Sequence, residues 1–193
     1  MIISDSYKLI FDAYPKTGST STENYFRILG LSNDEVIHGT INPTQRKDWI
    51  GYLKFTIVRN PYEKTVSWYQ YFYKQIKKKY PNFPTELEFK NSIQVPPFLW
   101  KQLKHSDLIK KFPETRIVRF ENISTEIPKI AKEVGLDISN VEFPHLNEST
   151  AEAKFGNWRE YYDSESADMV YKEFASDFEM FGYSKESWKN RIE

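Results

Sequence analysis

The sequence predicts an α/β fold in which a mostly parallel sheet is covered by helices on both faces, a three-layer α/β/α arrangement. Three short apolar runs are typical of strands, and they lie at residues 8–14, Leu53–Val58 and residues 116–120. Each run is followed by a stretch with helical spacing of its apolar residues. Strands that alternate with helices favour parallel pairing, because each helix carries the chain back along the sheet.

The first two helices have clear local signals. One helix is predicted at residues 19–29, with Tyr25 and Phe26 on its buried side and Gly30 at its end, since glycine readily adopts the left-handed conformation that follows a helix. The next helix is predicted to begin at Pro61 and to continue through an aromatic stretch. Proline suits the first turn of a helix, and the asparagine before it is a good N-cap.

The remaining elements are less regular. A short strand is expected at residues 35–38, and helices are expected at residues 124–134 and 164–181. The stretch of residues 80–98 contains four prolines, which disfavour a long helix or a central strand. We therefore expect a loop or a lid there.

Length and composition indicate one domain over residues 1–193, with residues 74–114 as an insertion or lid. Aromatic residues make up 17% of the chain, whereas disordered chains are poor in them. The absence of cysteine excludes a disulfide framework and a thiolate metal site. The sequence shows neither a long apolar segment nor the features of a signal peptide. We expect a cytoplasmic protein that binds neither a membrane nor nucleic acid.

Charge is unevenly distributed although the formal net charge is +0. Residues 74–119 contain 11 basic and 4 acidic residues, and residues 145–193 contain 6 basic and 11 acidic residues. Two interpretations stay open. The two segments are ordinary solvated faces, or the basic segment lies over an anionic substrate and attracts it.

The residues that follow the first strand suit a phosphate group. The sequence PKTGSTS spans residues 15–21 and leads from the first strand into the first helix. Gly18 permits a tight turn, Lys16 adds a positive charge, and the start of a helix favours an anion. Hydroxyl groups that can donate further hydrogen bonds belong to Thr17, Ser19, Thr20 and Ser21. The alternative is an ordinary capped helix start, because Ser and Thr are frequent N-caps.

A second anion site is predicted at the end of the next long strand. Arg59 stands where a magnesium-dependent nucleoside triphosphatase has an acidic residue, and Lys16 precedes the glycine instead of following it. Arginine binds phosphate oxygens in a planar fork, and Ser67 can donate one more bond; an ion pair is the alternative role for Arg59. The pattern favours a nucleotide with two separate phosphate groups and no metal.

These motifs resemble those of sulfotransferases that use 3′-phosphoadenosine 5′-phosphosulfate (PAPS), most closely the carbohydrate and heparan-sulfate type. The resemblance rests on PKTGSTS and on FTIVRNPYEKTVSWY at residues 55–69. It is extended by VRFENI at 118–123, FPHLNES at 143–149 and YKEFASDFEMFGY at 171–183. It implies a P-loop nucleotide-kinase-like sulfotransferase fold, PAPS as the donor, its desulfated form PAP as the product, and an acceptor hydroxyl expected on a carbohydrate.

The resemblance also implies roles for single residues. Residues 16–21 would hold the 5′-phosphosulfate, with Lys16 stabilising charge on the leaving oxygen. Arg59 and Ser67 would hold the 3′-phosphate.

A base must take the proton of the acceptor hydroxyl. Histidine titrates near neutral pH, and His38 lies about as far before the strand-ending arginine as the base of the relatives does. Glu35 is the alternative base. His105 lies in a basic helical stretch, where we expect a surface role, and His145 is expected to contribute to packing.

Two other functions stay open at this point. A kinase-like phosphoryl transferase is disfavoured by the position of the lysine and by the missing magnesium carboxylate. A non-catalytic nucleotide-binding module with the same fold is the other alternative.

Overall fold

The structure is a computed structural model that describes residues 1–32, 36, 49–80, 89–94, 104–110, 114–144 and 157–189, apart from the side chains of Lys77 and Leu108. The chain divides into two compact units. The first unit consists of Met1–Arg59 and Ile109–Glu148, and the second of Asn60–Leu108 and Ser149–Glu193.

The described residues include four strands and six α-helices. The strands are β1 (Ile2–Ser4), β2 (Leu9–Asp12), β3 (Leu53–Val58) and β4 (Arg116–Arg119). The helices are α1 (Ser19–Ile28), α2 (Pro61–Lys79), α3 (Phe89–Gln94), α4 (His105–Ile109), α5 (Ile123–Glu133) and α6 (Ser164–Phe181). None of these helices combines the length and the apolar character needed to cross a bilayer.

The four strands form one sheet in the order β1-β2-β3-β4. β2 pairs with β3 and β3 with β4 in parallel, whereas β1 pairs with β2 antiparallel. The predicted α/β class and the mostly parallel sheet are therefore confirmed. The edge strand β1 is not among the predicted elements, because three residues are too few to show an alternating pattern. A short connection joins β1 to β2, which is compatible only with antiparallel pairing.

The core of the first unit lies on one face of this sheet. The stacked rings of Phe11 and Phe55 have centroids 4.6 Å apart. Tyr25 and Phe26 of α1 and Ile127 of α5 belong to the same buried cluster. Helices α1 and α5 therefore share one buried core with β2 and β3.

Helix ends marked by local signals are where the sequence predicts them. After α1, Gly30 has φ +101°, and its N–H donates to the Arg27 carbonyl over 3.0 Å. At α2, the Asn60 carboxamide oxygen accepts a hydrogen bond of 3.0 Å from the Tyr62 N–H. Both boundary predictions are confirmed.

The predicted loop at residues 80–98 is wrong in part, because α3 occupies Phe89–Gln94. The prolines at 81, 84, 96 and 97 lie on either side of α3 and do not interrupt it. Phe89 and Ile93, one helical turn apart, are both buried. Moreover, α2 continues to Lys79, so the predicted insertion at 74–114 begins as an extension of a helix.

The core of the second unit is built from α2 and α6. Tyr62 of α2 packs against Phe178 of α6, with ring centroids 4.7 Å apart. The aromatic side of α6 predicted from its spacing is confirmed, since Phe174, Phe178 and Phe181 are all buried.

Candidate phosphate-binding site

Two residues of the loop between β2 and α1 have a left-handed backbone conformation. Lys16 has φ +67° and Gly18 has φ +81°. Between them, the buried hydroxyl of Thr17 donates a hydrogen bond of 2.8 Å to the Tyr14 carbonyl. The Thr17 hydroxyl thus closes the turn through a bond within the loop itself.

The start of α1 presents backbone N–H groups. Gly18 is its N-cap and has no side chain with which to cap this end. The Thr22 N–H donates to the Gly18 carbonyl over 3.1 Å. The N–H groups of Ser19, Thr20 and Ser21 precede that bond and have no carbonyl within the helix to bond to. Together with the helix dipole they favour an anion, and the capped-start alternative does not describe this helix.

The packing around Gly18 leaves no room for a side chain. A Cβ atom at this position would lie 2.6 Å from Cδ1 of Ile123 and 3.1 Å from Cε2 of Phe120. Both residues come after β4, at the same edge of the sheet. The loop therefore rests directly on the segment that connects β4 to α5.

Arg59 follows β3 and contacts the same loop. Its Nη1 donates a hydrogen bond of 3.0 Å to the backbone carbonyl of Lys16. Its guanidinium carbon lies 4.0 Å from the centroid of the Phe120 ring. The structure thus brings together Lys16 and Arg59, the two cations that the sequence places after neighbouring strands. Ligands of open α/β sheets bind at this edge.

The electrostatics of the loop centre on Lys16. Burial, together with the charge of Arg59, lowers the pKa of the Lys16 ammonium to about 8. A bound anion would oppose both effects, because it stabilises the charged form.

Ser67 lies in the second unit, on α2, where its side chain is buried. Its proposed partnership with Arg59 stays a prediction. His38 and Glu35 lie outside the described residues. Val36, between them in sequence, forms an isolated bridge with Ile2 of β1.

His105 does not have the surface role that the sequence predicts. Only 2% of the residue is exposed, and burial, aided by the charge of Lys64, holds the pKa of its imidazole well below the usual value. His105 is buried because its segment is bound to Asp177 of α6. The Asp177 carboxylate accepts hydrogen bonds from the backbone N–H groups of His105 and Ser106 at 3.0 and 2.9 Å.

Phe120 and Ile123 are the residues that the sequence analysis did not assign to the site. The available signal was the position of VRFENI directly after a strand, at the edge where Lys16 and Arg59 were expected. Within the described part of the chain, no three His, Asp or Glu side chains are grouped so as to hold a metal ion.

A glycine-containing loop after one parallel strand, joined to a cation after the next, is typical of α/β proteins that bind nucleotide phosphates. The chain matches the family model described as "Sulfotransferase family" over residues 1–184 and belongs to that family. No match was found among curated proteins or among solved structures. Membership confirms the predicted family and supports sulfuryl transfer as the class of reaction, and the carbohydrate subtype stays a prediction.

Proposed function

We propose that this protein transfers the sulfuryl group of PAPS to a hydroxyl group of a carbohydrate and releases PAP. The observation that carries the proposal is the contact between Arg59 and the carbonyl of Lys16. It joins two cationic sites that suit the two phosphate groups of such a donor. The family supplies the class of reaction.

The residues present fit the donor chemically. Lys16 and the first N–H groups of α1 are donors or cations, as an anionic phosphosulfate requires. Thr17 would contribute its N–H, since its hydroxyl is bonded to Tyr14, while Gly18, Ser19, Thr20 and Ser21 complete the predicted set. Arg59 and Ser67 would hold the 3′-phosphate.

PAPS supplies an activated sulfuryl group for an in-line displacement. Lys16 would stabilise the negative charge that develops on the oxygen leaving sulfur. His38 would accept the proton of the acceptor hydroxyl, with Glu35 as the alternative base. A base and a single well-placed cation each contribute a factor of roughly 10² to 10³. No residue of this scheme depends on a metal ion.

The exposed end of α2 supports an acceptor built of sugars. Tyr71 and Phe72 are 47% and 46% exposed, and Lys74 and Lys78 come after Tyr71 at helical spacings of three and seven residues. The side chains of Tyr71, Lys74 and Lys78 therefore point in similar directions from the helix, and Phe72 stands about 100° round the helix from Tyr71. Aromatic rings can cover the apolar face of a sugar ring, and the lysines would pair with its acidic groups.

Two further proposals concern the whole chain. We propose that residues 1–193 act as one domain, since the family match spans segments of both units. A cytoplasmic location stays a prediction, which fractionation of the source cells would test.

The first experiment is a thermal-shift titration with PAP in the presence of EDTA. Ligand at about 100 times its Kd stabilises a folded protein by roughly 2.7 kcal/mol, about 5–10 °C for a domain of this size. We expect this shift in the wild type and not in Arg59→Ala. Arg116→Ala is the matched control, because Arg116 lies at the opposite end of β4 and pairs with Glu133 at 2.7 Å.

A shift with ATP and magnesium but not with PAP would replace the proposal with the kinase-like alternative. A PAP shift without transfer to any acceptor would favour a non-catalytic module. Transfer is measured with radiolabelled PAPS and a panel of an acidic polysaccharide, a neutral polysaccharide and a small phenol. For a polysaccharide acceptor, Tyr71→Ala should raise KM with little change in kcat.

A further inference from the structure

The aromatic residue of the motif VRFENI, Phe120, has no role in the proposed reaction. It begins the short 3₁₀ turn Phe120–Asn122 directly after β4. The ring lies at the edge of the sheet that carries the phosphate loop. Any role of this ring in donor binding rests on the proposed function, because that function assigns Arg59 to the 3′-phosphate and the loop to the 5′-phosphate group.

One ring contacts both phosphate sites. The guanidinium carbon of Arg59 lies 4.0 Å from the centroid of Phe120, a distance at which a cation is attracted to the face of a ring. An edge of the same ring would be 3.1 Å from a Cβ atom at Gly18, the N-cap of α1. Phe120 therefore packs against the guanidinium of Arg59 and against the loop at Gly18.

Arg59 completes the connection through the backbone. Its Nη1 donates to the carbonyl of Lys16 over 3.0 Å, within the left-handed turn that orients the lysine. A guanidinium has five N–H donors in one plane, more than this one bond uses. Movement of the guanidinium away from the Phe120 ring would disturb the Lys16 backbone.

We propose that Phe120 is a positioning residue that couples the two phosphate sites. By holding the guanidinium of Arg59 over its ring, Phe120 maintains the bond from Arg59 to Lys16. A 3′-phosphate that binds Arg59 then stabilises the loop conformation in which the 5′-phosphate group is bound. The 3′-phosphate thereby increases the affinity of the loop for the 5′-phosphate group, in addition to the affinity that its own contacts contribute.

Electrostatics act in the same direction. The charge of Arg59 is one of the two causes that lower the pKa of Lys16 to about 8. A phosphate on Arg59 would offset that charge and keep Lys16 protonated at higher pH. Lys16 would then be fully charged when both phosphate groups are present.

Four ligands measure the coupling by isothermal titration calorimetry. They are adenosine, 5′-AMP, 3′-AMP and PAP, so each phosphate is added with and without the other. Each phosphate alone improves Kd relative to adenosine by some factor, and independent phosphates would improve the Kd of PAP by the product of those two factors. In the wild type we expect the improvement for PAP to exceed that product by at least about threefold. Weak ligands are measured by displacement of PAP.

Variants of Phe120 test the cause. Phe120→Leu should weaken PAP binding by about 3- to 30-fold, the range of a cation–π contact, with little change for 5′-AMP and loss of the coupling. Phe120→Tyr keeps the aromatic ring and should therefore retain both the PAP affinity and the coupling of the wild type. Arg59→Lys gives a second test, because lysine keeps the charge but lacks the planar fork, so the coupling should again be lost.

A second measurement observes Lys16 directly. The rate at which Lys16 is acetylated at different pH values, read by mass spectrometry, gives its pKa. Saturating 3′-AMP should raise that pKa in the wild type and in Phe120→Tyr, and less in Phe120→Leu.

The outcomes separate the two proposals. If the wild type does not bind PAP, the proposed function itself fails. If PAP binds but the two phosphates contribute independently, or if Phe120→Leu weakens all four ligands equally, the coupling is wrong and the proposed function stands. Circular dichroism of each variant confirms that the protein is folded.

Discussion

Both the backbone conformation and the packing at position 18 require glycine. Its φ of +81° is costly for a residue with a side chain, and a Cβ would lie 2.6 Å from Ile123. Gly30 shares the positive φ, at +101°, but has nothing within 4 Å of its Cβ position. We expect Gly30→Ala to lower the free energy of unfolding by about 1–2 kcal/mol.

Gly18→Ala should cost about 1–3 kcal/mol more than Gly30→Ala, because overpacking is added to backbone strain. Urea denaturation of both variants measures the difference. Equal losses in the two variants would mean that Phe120 and Ile123 move aside easily and that the loop is not held by them.

Lys16 predicts a pH dependence of anion binding. Its pKa in the free protein is about 8, and a bound anion raises it. At pH values above about 8 the free protein has lost the proton that the complex needs. The affinity for PAP should therefore fall with rising pH, by up to about tenfold per pH unit.

Calorimetry in buffers of different ionisation enthalpy would show proton uptake on PAP binding near pH 8. Lys16→Met should bind PAP more weakly and lose most of this pH dependence. Lys132→Met, which removes an exposed lysine of α5, is the control and should retain it. An unchanged slope in Lys16→Met would assign the proton to another group.

At the scale of elements, a buried ion pair holds α4 between α2 and α6. Lys64 of α2 lies 3.4 Å from the Asp177 carboxylate, and both side chains are almost fully buried. The other carboxylate oxygen accepts a 2.7 Å hydrogen bond from the Ser106 hydroxyl. Lys64→Met leaves this carboxylate buried without its cation, so we expect a loss of about 3–5 kcal/mol in the free energy of unfolding.

The control for this pair is Lys90→Ala. Lys90 bonds Asp163 and Glu165 at the surface, where water and salt screen the charges. Chemical denaturation should show little change in that variant. A small effect of Lys64→Met as well would show that water reaches Asp177 when the lysine is removed.

Predictability from the sequence depended on the range of the interactions. The ends of α1 and α2 depend on Gly30 and on Asn60 beside Pro61, which act within a few residues, and both ends were predicted. The buried position of His105 depends on Asp177, 72 residues further along the chain, and the local basic sequence gave the wrong expectation. The short elements β1 and α3 were missed because their burial, rather than any periodic pattern, stabilises them.

The same distinction applies to the candidate site. Lys16 and Arg59 were expected to lie together, because the carboxyl ends of neighbouring parallel strands share one edge. The contact of Phe120 with Arg59 and Gly18 was not predicted. It depends on how side chains from three separate segments pack, and no spacing within one segment encodes that.

At the scale of the whole molecule, the two compact units are not continuous segments. The chain passes between them after Arg59, after Leu108 and after Glu148. At the first of these points, only two residues connect β3 to α2. The second point lies inside α4. Independent domains are usually joined by exposed flexible linkers, and neither of these two points offers one.

We therefore predict a single cooperative unfolding transition for the chain. Differential scanning calorimetry should give one peak whose calorimetric and van't Hoff enthalpies agree. Ile57→Ala in β3 and Val170→Ala in α6 remove fully buried side chains from different units. Each should lower the same transition, since a cavity of this kind costs about 2–5 kcal/mol for isoleucine, and somewhat less for the smaller valine. Two peaks, each moved by only one of the variants, would instead establish two domains that fold separately.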